Sequence, residues 1–168
     1  MGMGSVYTRT SDGRPLRRRD PTRDARLVAT YLQPYADALA DLVDDRLAAV
    51  GRAVIVDVHS YPTVSLPYEM HADGQRPAVC LGVDSRHTPS WLLEAARATL
   101  APLAGIAVNE PFAGTYVPLR HFGSDLRVAS VMVEIRRDTY MSEPGGPPTA
   151  ALDLTAAALA RLLSALAP

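Results

Sequence analysis

Apolar side chains recur at helical spacing between residues 27 and 47, which predicts an amphipathic helix in that part of the chain. Asp20-Pro21 supplies the N-cap and first-turn proline that typically begin a helix. Pro34 is expected to kink the helix and Gly51 to end it. Residues 1 to 19 lack this spacing, so we expect loop or edge structure there.

Short apolar runs later in the chain predict the strands of a sheet. They are residues 53 to 58, residues 78 to 83, a short strand from Ile106 that turns at Asn109, and residues 128 to 135. The first run is apolar on both faces until Asp57, which is typical of an interior, parallel strand.

Two more helices are expected, one begun by Thr88-Pro89 and one from Thr149. The order helix, strand, strand, helix, strand, strand, helix predicts an α/β fold with a mostly parallel sheet flanked by helices. We expect one domain over residues 1 to 168, although four strands make a thin sheet for such a fold.

Composition narrows the functional classes. The chain is 48% hydrophobic and 21% charged, with a formal net charge of −1, so nothing favours nucleic acid or an anionic membrane as a partner. It has no apolar stretch that could span a bilayer, no recognisable signal peptide and a single cysteine, Cys80, expected to be buried and inert. A cytoplasmic location is the expectation. The absence of lysine excludes Schiff-base chemistry.

The first candidate for chemistry is the pair Asp57 and His59, which comes at the end of the first predicted strand. Residues two apart on a strand point to the same side, and ligands of open α/β sheets bind beyond the carboxyl ends of the strands. A histidine there can be a metal ligand, a base or a hydrogen-bonded structural residue.

Glu134 is the second candidate, because a carboxylate at the end of an apolar strand is costly to bury unless it is paired or used. The alternative is a structural salt bridge to Arg136, two residues later. The third candidate is the loop of residues 109 to 123, which fits a substrate-binding loop or an ordinary surface loop. Its polar residues include Asn109, Tyr116, Arg120 and His121.

Several segments together resemble the N-formylglutamate amidohydrolase family. In chain order they are "TRTSDGRPLRR", "YLQPYADAL", "VIVDVHSYP", "NEPFAGTYV" and "VMVEIRRDTYM". "HSYPTVSLPY" and "VEIRRDT" also look like local motifs of the distantly similar zinc carboxypeptidases. The resemblance implies a phosphorylase/hydrolase-like α/β fold and a zinc-dependent amidohydrolase that cleaves N-formylglutamate to formate and glutamate in histidine degradation.

By the same resemblance, His59 would be a zinc ligand and Glu134 the general base for the zinc-bound water, whose pKa the metal lowers. Asp57 would orient the His59 ring. Arg136 and Arg120 would hold carboxylates of an acidic N-acyl amino acid, because arginine binds carboxylates bidentately. Asn109 and Tyr116 would be further substrate contacts.

The chain departs from the family pattern before His59. Family members carry additional upstream sequence that supplies the first zinc ligands, a histidine with a nearby acidic residue, whereas residues 1 to 58 contain no histidine. We therefore expect the C-terminal portion of a larger domain, with the other zinc ligands in sequence that this chain lacks. Glu69, His71 and His121 are conceivable replacements, but none has a recognised metal spacing.

Three functional hypotheses follow. The first is an N-formylglutamate amidohydrolase, and this chain alone would be inactive if the first pair of zinc ligands is missing from it. The second is a related zinc hydrolase, either carboxypeptidase-like or a deacylase of other N-acyl amino acids. The third is a non-catalytic remnant or subunit. An incomplete sheet should also expose an edge strand, which predicts self-association.

Overall fold

The helices and strands come in the predicted order in the computed structural model, which describes residues 4–67, 69 and 74–167. They are α1 (Pro21–Leu27), α2 (Gln33–Val50), β1 (Ala53–Tyr61), β2 (Val79–Gly82), α3 (Ser90–Leu100), β3 (Ile106–Val108), β4 (Val128–Arg136) and α4 (Leu152–Leu166). No helix in these described ranges has the length and apolar character needed to cross a membrane.

The first helical segment begins and ends as predicted. The Asp20 side chain accepts a hydrogen bond from the Arg23 amide at 3.0 Å and so caps α1. Gly51 ends α2 with a left-handed φ of 75°. The disturbance expected from Pro34 is a π-helical turn over Val28–Leu32, directly before α2. A wider turn suits this position, because a proline ring clashes with the carbonyl four residues earlier in a regular α-helix.

The sheet has the order β1-β4-β2-β3. β1 is parallel to β4 and β2 is parallel to β3, whereas β2 and β4 are antiparallel, so the sheet is mostly parallel as predicted. The prediction that β1 is an interior strand is wrong, because it lies at one edge and β4 is the interior strand beside it. An apolar run shows that a strand packs against the core, but it does not show how many strands lie beside it. In β1, Val54 and Val56 pack against the core, whereas Val58 is 49% exposed.

The two faces of the sheet are covered differently. α3 and α4 pack on one face through Leu92, Leu100 and Leu162, which form the main core with the strands. On the other face, α2 packs near the beginnings of β1 and β4, where Val43 and Leu47 belong to a smaller cluster. Asp57, His59 and Glu134 lie on this second face, nearer the carboxyl ends of the strands, whereas Ser60 alternates to the first face.

Candidate functional site

Strand pairing brings the two main candidates together. In the parallel register of β1 and β4, His59 lies opposite Glu134 and Asp57 lies opposite Met132. Because side chains alternate between faces along a strand, Asp57, His59 and Glu134 share one face of the sheet. The pair predicted on one strand and the carboxylate predicted on another thus form one cluster near the carboxyl ends of these strands.

Asp57 holds the His59 ring. Its Oδ1 lies 2.8 Å from Nε2 of His59, which fixes the orientation of the imidazole. The Nδ1 atom has no hydrogen bond to any residue that the structure describes, and the His59 side chain is 48% exposed. Nδ1 is therefore the nitrogen that remains available for a metal ion or a proton.

Glu134 is a buried carboxylate, and one of its oxygens lacks a partner among the described residues. The residue is 9% exposed, and its Oε2 has no hydrogen-bond partner among the described residues. Burial raises the pKa of Glu134 above its usual value, and the nearby carboxylates of Asp57 and Glu69 add to this, while His59 and Arg137 oppose it. A carboxyl group in such surroundings is typical of a functional site.

The structural alternative for Glu134, a salt bridge to Arg136, is wrong. Arg136 instead pairs with Asp138, with Nε 2.7 Å from Oδ1, and donates a further hydrogen bond to the Arg76 carbonyl. Asp138 is two residues from Arg136 in the turn after β4, so it competes locally for the guanidinium. The cost of burying Glu134 is therefore not offset by this neighbouring arginine.

Tyr116 and Asn109 come from the loop after β3. Tyr116 approaches the cluster: burial raises the pKa of its phenol, and the nearby Tyr35 and Asp57 raise it further. Asn109 adopts a left-handed φ of 56°, and its Oδ1 accepts hydrogen bonds from the Val83 amide at 2.8 Å and the Gly114 amide at 3.3 Å. Asn109 thus ties this loop to the end of β2, and its part in substrate binding stays a prediction.

Arg120 and His121 contact α2. Arg120 forms ion pairs with Asp41, at 3.1 Å, and with Asp44, and His121 Nε2 lies 2.9 Å from Asp44 Oδ1. No hydrogen bond or ion pair within the described residues joins Arg120 to His59. The structure therefore gives this arginine an anchoring contact on α2, and its predicted substrate contact is untested.

The loop after β1 is organised by an ion pair that the sequence did not indicate. Arg76 Nη1 lies 2.6 Å from Glu69 Oε2, and their side chains are 12% and 3% exposed. The Arg76 guanidinium also lies 5.0 Å from the centre of the Tyr61 ring. Glu69 is thus already engaged, while His71, the other loop candidate for a metal ligand, lies outside the described residues.

Arg137 is a second residue that sequence reasoning missed. It follows β4 directly, and its Nε lies 3.3 Å from the hydroxyl oxygen of Ser60. Ser60 is the residue that follows His59 in the chain. The signal was present in the segment "VEIRRDT", but strand alternation drew attention to Arg136, which shares the face of Glu134.

Cys80 is buried, as expected, and lies opposite Glu134 on β2. Its thiol donates a hydrogen bond to the Phe112 carbonyl at 3.2 Å, and burial raises the pKa of the thiol. A protonated thiol is a poor metal ligand. Within the described ranges, no group of three histidine, cysteine, aspartate or glutamate residues is arranged to hold a metal ion.

A cavity of about 350 Å³ opens beside His59, on the side of β1 that faces α4. Its walls are mainly apolar. They are formed by Val58, His59, Ser60, Ile135, Tyr140, Leu152, Thr155, Ala156 and Leu159.

Comparison with known proteins identifies the family. Residues 1–141 match the family model of N-formylglutamate amidohydrolase. No curated protein matches the chain.

Two crystal structures are similar to this chain. One is N-formylglutamate amidohydrolase from Ralstonia eutropha JMP134, with a TM-score of 0.78, 20% identity, and coverage of 98% of this chain and 62% of that one. The other is a gene product from Agrobacterium tumefaciens, with a TM-score of 0.61, 20% identity, and coverage of 94% and 62%. These likenesses establish the shared α/β fold, and the chain spans 62% of the length of each structure.

Proposed function

Because this chain belongs to the N-formylglutamate amidohydrolase family, we propose that it provides catalytic residues for cleaving N-formyl-L-glutamate to formate and L-glutamate, a reaction of histidine degradation. The observation that carries the proposal is the buried Glu134, which lies opposite His59 and has an unpartnered Oε2. Burying such a carboxylate costs stability, and buried ionisable groups without a compensating partner are typical of functional sites.

Glu134 is proposed as the group that moves the proton. In amide hydrolysis, a water oxygen attacks the formyl carbon, the carbon–nitrogen bond breaks, and the leaving nitrogen gains a proton. A carboxylate with a raised pKa can take the proton from water and deliver it to the amine, since general acid–base catalysis works best when the pKa approaches the working pH.

His59 is proposed as one zinc ligand, oriented by Asp57 and binding through its free Nδ1. Catalytic zinc normally has three protein ligands. The described residues hold no group of three suitable side chains, so they do not complete a zinc site by themselves. If this chain binds catalytic zinc, further ligands must come from outside the described residues.

Substrate contacts are proposed for Tyr116, Asn109, Arg136 and Arg120. Tyr116 has the most support, because burial raises the pKa of its phenol and the charge of Asp57 adds to that rise. The two arginines already pair with carboxylates of the protein, Arg136 with Asp138 and Arg120 with Asp41 and Asp44. Either arginine would have to exchange these partners for a substrate carboxylate.

The test is a hydrolysis assay of the purified chain with added zinc, measuring formate from N-formyl-L-glutamate and metal content in parallel. We expect Glu134→Gln to lower kcat by about 100-fold or more with zinc content unchanged, because it removes the proton-transfer group. His59→Ala should lower both zinc content and kcat. Glu94→Gln, an exposed change on α3, serves as the control.

Each other outcome points to a different function. Hydrolysis of C-terminal peptide bonds or of other N-acyl amino acids in preference to N-formyl-L-glutamate would identify a related zinc hydrolase. A folded chain that hydrolyses none of these compounds would be a non-catalytic protein. Unchanged zinc content in His59→Ala would refute the ligand assignment.

A further inference from the structure

The arginines around the candidate site differ in what they already bind. Three of them pair with carboxylates of the protein: Arg76 with Glu69 at 2.6 Å, Arg136 with Asp138 at 2.7 Å, and Arg120 with Asp41 at 3.1 Å and also with Asp44. Their positive charges are therefore largely neutralised within the fold.

Arg137 lacks such a partner within the described residues. Its hydrogen bonds go to Ser60, where Nε lies 3.3 Å from the hydroxyl oxygen and Nη2 lies 3.5 Å from the carbonyl oxygen. Both contacts are long and both acceptors are neutral. A guanidinium has five N–H donors, so most of the binding capacity of Arg137 remains free.

Arg137 also lies near the ends of the two strands that carry the site. Ser60 follows His59 on β1, and Arg137 comes three residues after Glu134, in the turn that ends β4. The guanidinium is close enough to Glu134 to oppose the rise in the pKa of that carboxyl. It thus stands at the carboxyl ends of both strands that carry the site, where ligands of α/β sheets bind.

The carboxylates around the site make a nearby cation favourable for binding an acidic substrate. Asp57 and Glu134 contribute negative charge or potential negative charge near the reacting position, whereas the charge of Glu69 is paired with Arg76. A dicarboxylate would be repelled by them unless a cation compensated, and arginine matches the planar geometry of a carboxylate.

We propose that Arg137 is the specificity-determining residue that binds one carboxylate of the glutamate half of the substrate. This inference rests on the proposed function for the identity of the substrate. On substrate binding, the Arg137 guanidinium either gives up its hydrogen bonds to Ser60 or keeps them with its remaining N–H groups. It donates two parallel hydrogen bonds to the substrate carboxylate in a bidentate ion pair. Arg136 and Arg120 then keep their structural partners.

The test measures binding of L-glutamate, glutamine and isoglutamine to the full chain by calorimetry, with added zinc. The last two compounds each replace one carboxylate by an amide. We expect Arg137→Gln to weaken glutamate binding roughly tenfold or more, the scale of one charge-assisted hydrogen bond. The preference of the wild-type chain for glutamate over one of the two amides should be lost in this variant, and that amide identifies the carboxylate concerned.

Two comparisons separate a specific role from a general loss of charge or folding. Arg137→Lys keeps the positive charge but lacks the planar guanidinium that binds a carboxylate through two hydrogen bonds. This variant should therefore bind glutamate more tightly than Arg137→Gln and more weakly than the wild-type chain. Arg161→Gln, an exposed change on α4, should bind as wild type. Each variant is first shown by its thermal midpoint to be folded.

The outcomes distinguish the inference from the proposed function. Hydrolysis of N-formyl-L-glutamate with discrimination unchanged in Arg137→Gln would overturn the role of Arg137 and leave the function standing. Arg137-dependent glutamate binding without hydrolysis would support the role of Arg137 and reject the activity. Loss of discrimination in Arg136→Gln but not in Arg137→Gln, or no glutamate binding by the wild-type chain, would overturn the inference.

Discussion

Glu134 couples the proposed chemistry to stability. Its carboxyl is buried with an unpartnered oxygen, so the folded protein favours the protonated form and its pKa lies above the value of 4.5 expected in the unfolded chain. A group of this kind contributes its full stabilisation below the unfolded pKa and loses it as the pH rises through the folded pKa. The residue proposed for catalysis should therefore weaken the fold at neutral pH.

Glu134→Gln should consequently stabilise the chain at pH 7 while it removes activity. We expect a gain in the free energy of unfolding on the order of 1 kcal/mol, the scale of one unpaired buried polar group. The gain should shrink as the pH falls towards 4 and below, where wild-type Glu134 becomes mostly protonated in both states. Urea unfolding across this pH range measures it, and Glu94→Gln should show no comparable trend. An equal effect at all pH values would contradict the burial argument.

At the residue scale, the sequence predicted the positions that strand geometry controls. The sequence placed Asp57 and His59 at the end of one strand and Glu134 at the end of another, and the parallel pairing of these strands brings the three residues together. Arg137 could not be found this way. Its importance depends on which carboxylates occupy the neighbouring arginines, and that pairing is a property of the folded turn and loops.

At the scale of elements, the loop after β1 depends on the buried pair Glu69–Arg76. Glu69→Gln would leave the Arg76 guanidinium buried without its counter-charge, which typically costs about 3 kcal/mol. We expect a corresponding fall in the free energy of unfolding, measured by urea denaturation.

A double variant provides the control for this pair. Glu69→Gln combined with Arg76→Met removes the buried charge as well, so it should recover much of the loss. A single variant as stable as wild type would show that solvent reaches Arg76 and that the pair does not hold the loop.

The elements were predictable to the extent that they follow local patterns. Asp20 and Gly51 set the limits of the first helical segment, as capping rules require. The position of β1 at the sheet edge was not predictable from its apolar run, since strand order depends on long-range pairing. The rule that prolines kink helices predicted a disturbance near Pro34, but it did not predict that the disturbance would be a π-helical turn.

At the scale of the whole molecule, the open edge of β1 predicts self-association. Val58 is 49% exposed on this edge, and the mainly apolar cavity adjoins it. An unprotected edge strand can pair with another chain, and a lysine on the edge opposes such pairing. We expect the chain to form dimers or larger species as its concentration rises, and Val58→Lys to shift the distribution towards monomer.

Size-exclusion chromatography with light scattering measures this distribution. Val64→Lys, at an even more exposed valine in the loop after β1, is the matched control and should leave association unchanged. A wild-type chain that stays monomeric at every concentration would contradict the prediction that the β1 edge pairs with another chain. Equal effects of both lysines would indicate a general effect of charge.

The strand order also places the two halves of the site on strands that differ in how strongly they are held in the sheet. Among the strands that the structure describes, β4, which carries Glu134, is hydrogen-bonded on both sides, whereas β1, which carries His59, is bonded on one side only. Local opening of a sheet begins at such margins, at a smaller free-energy cost than global unfolding. His59 can therefore leave Glu134 while the core stays intact. We therefore expect the assembled site to have a shorter lifetime than the fold, because opening of the single strand β1 is enough to take it apart.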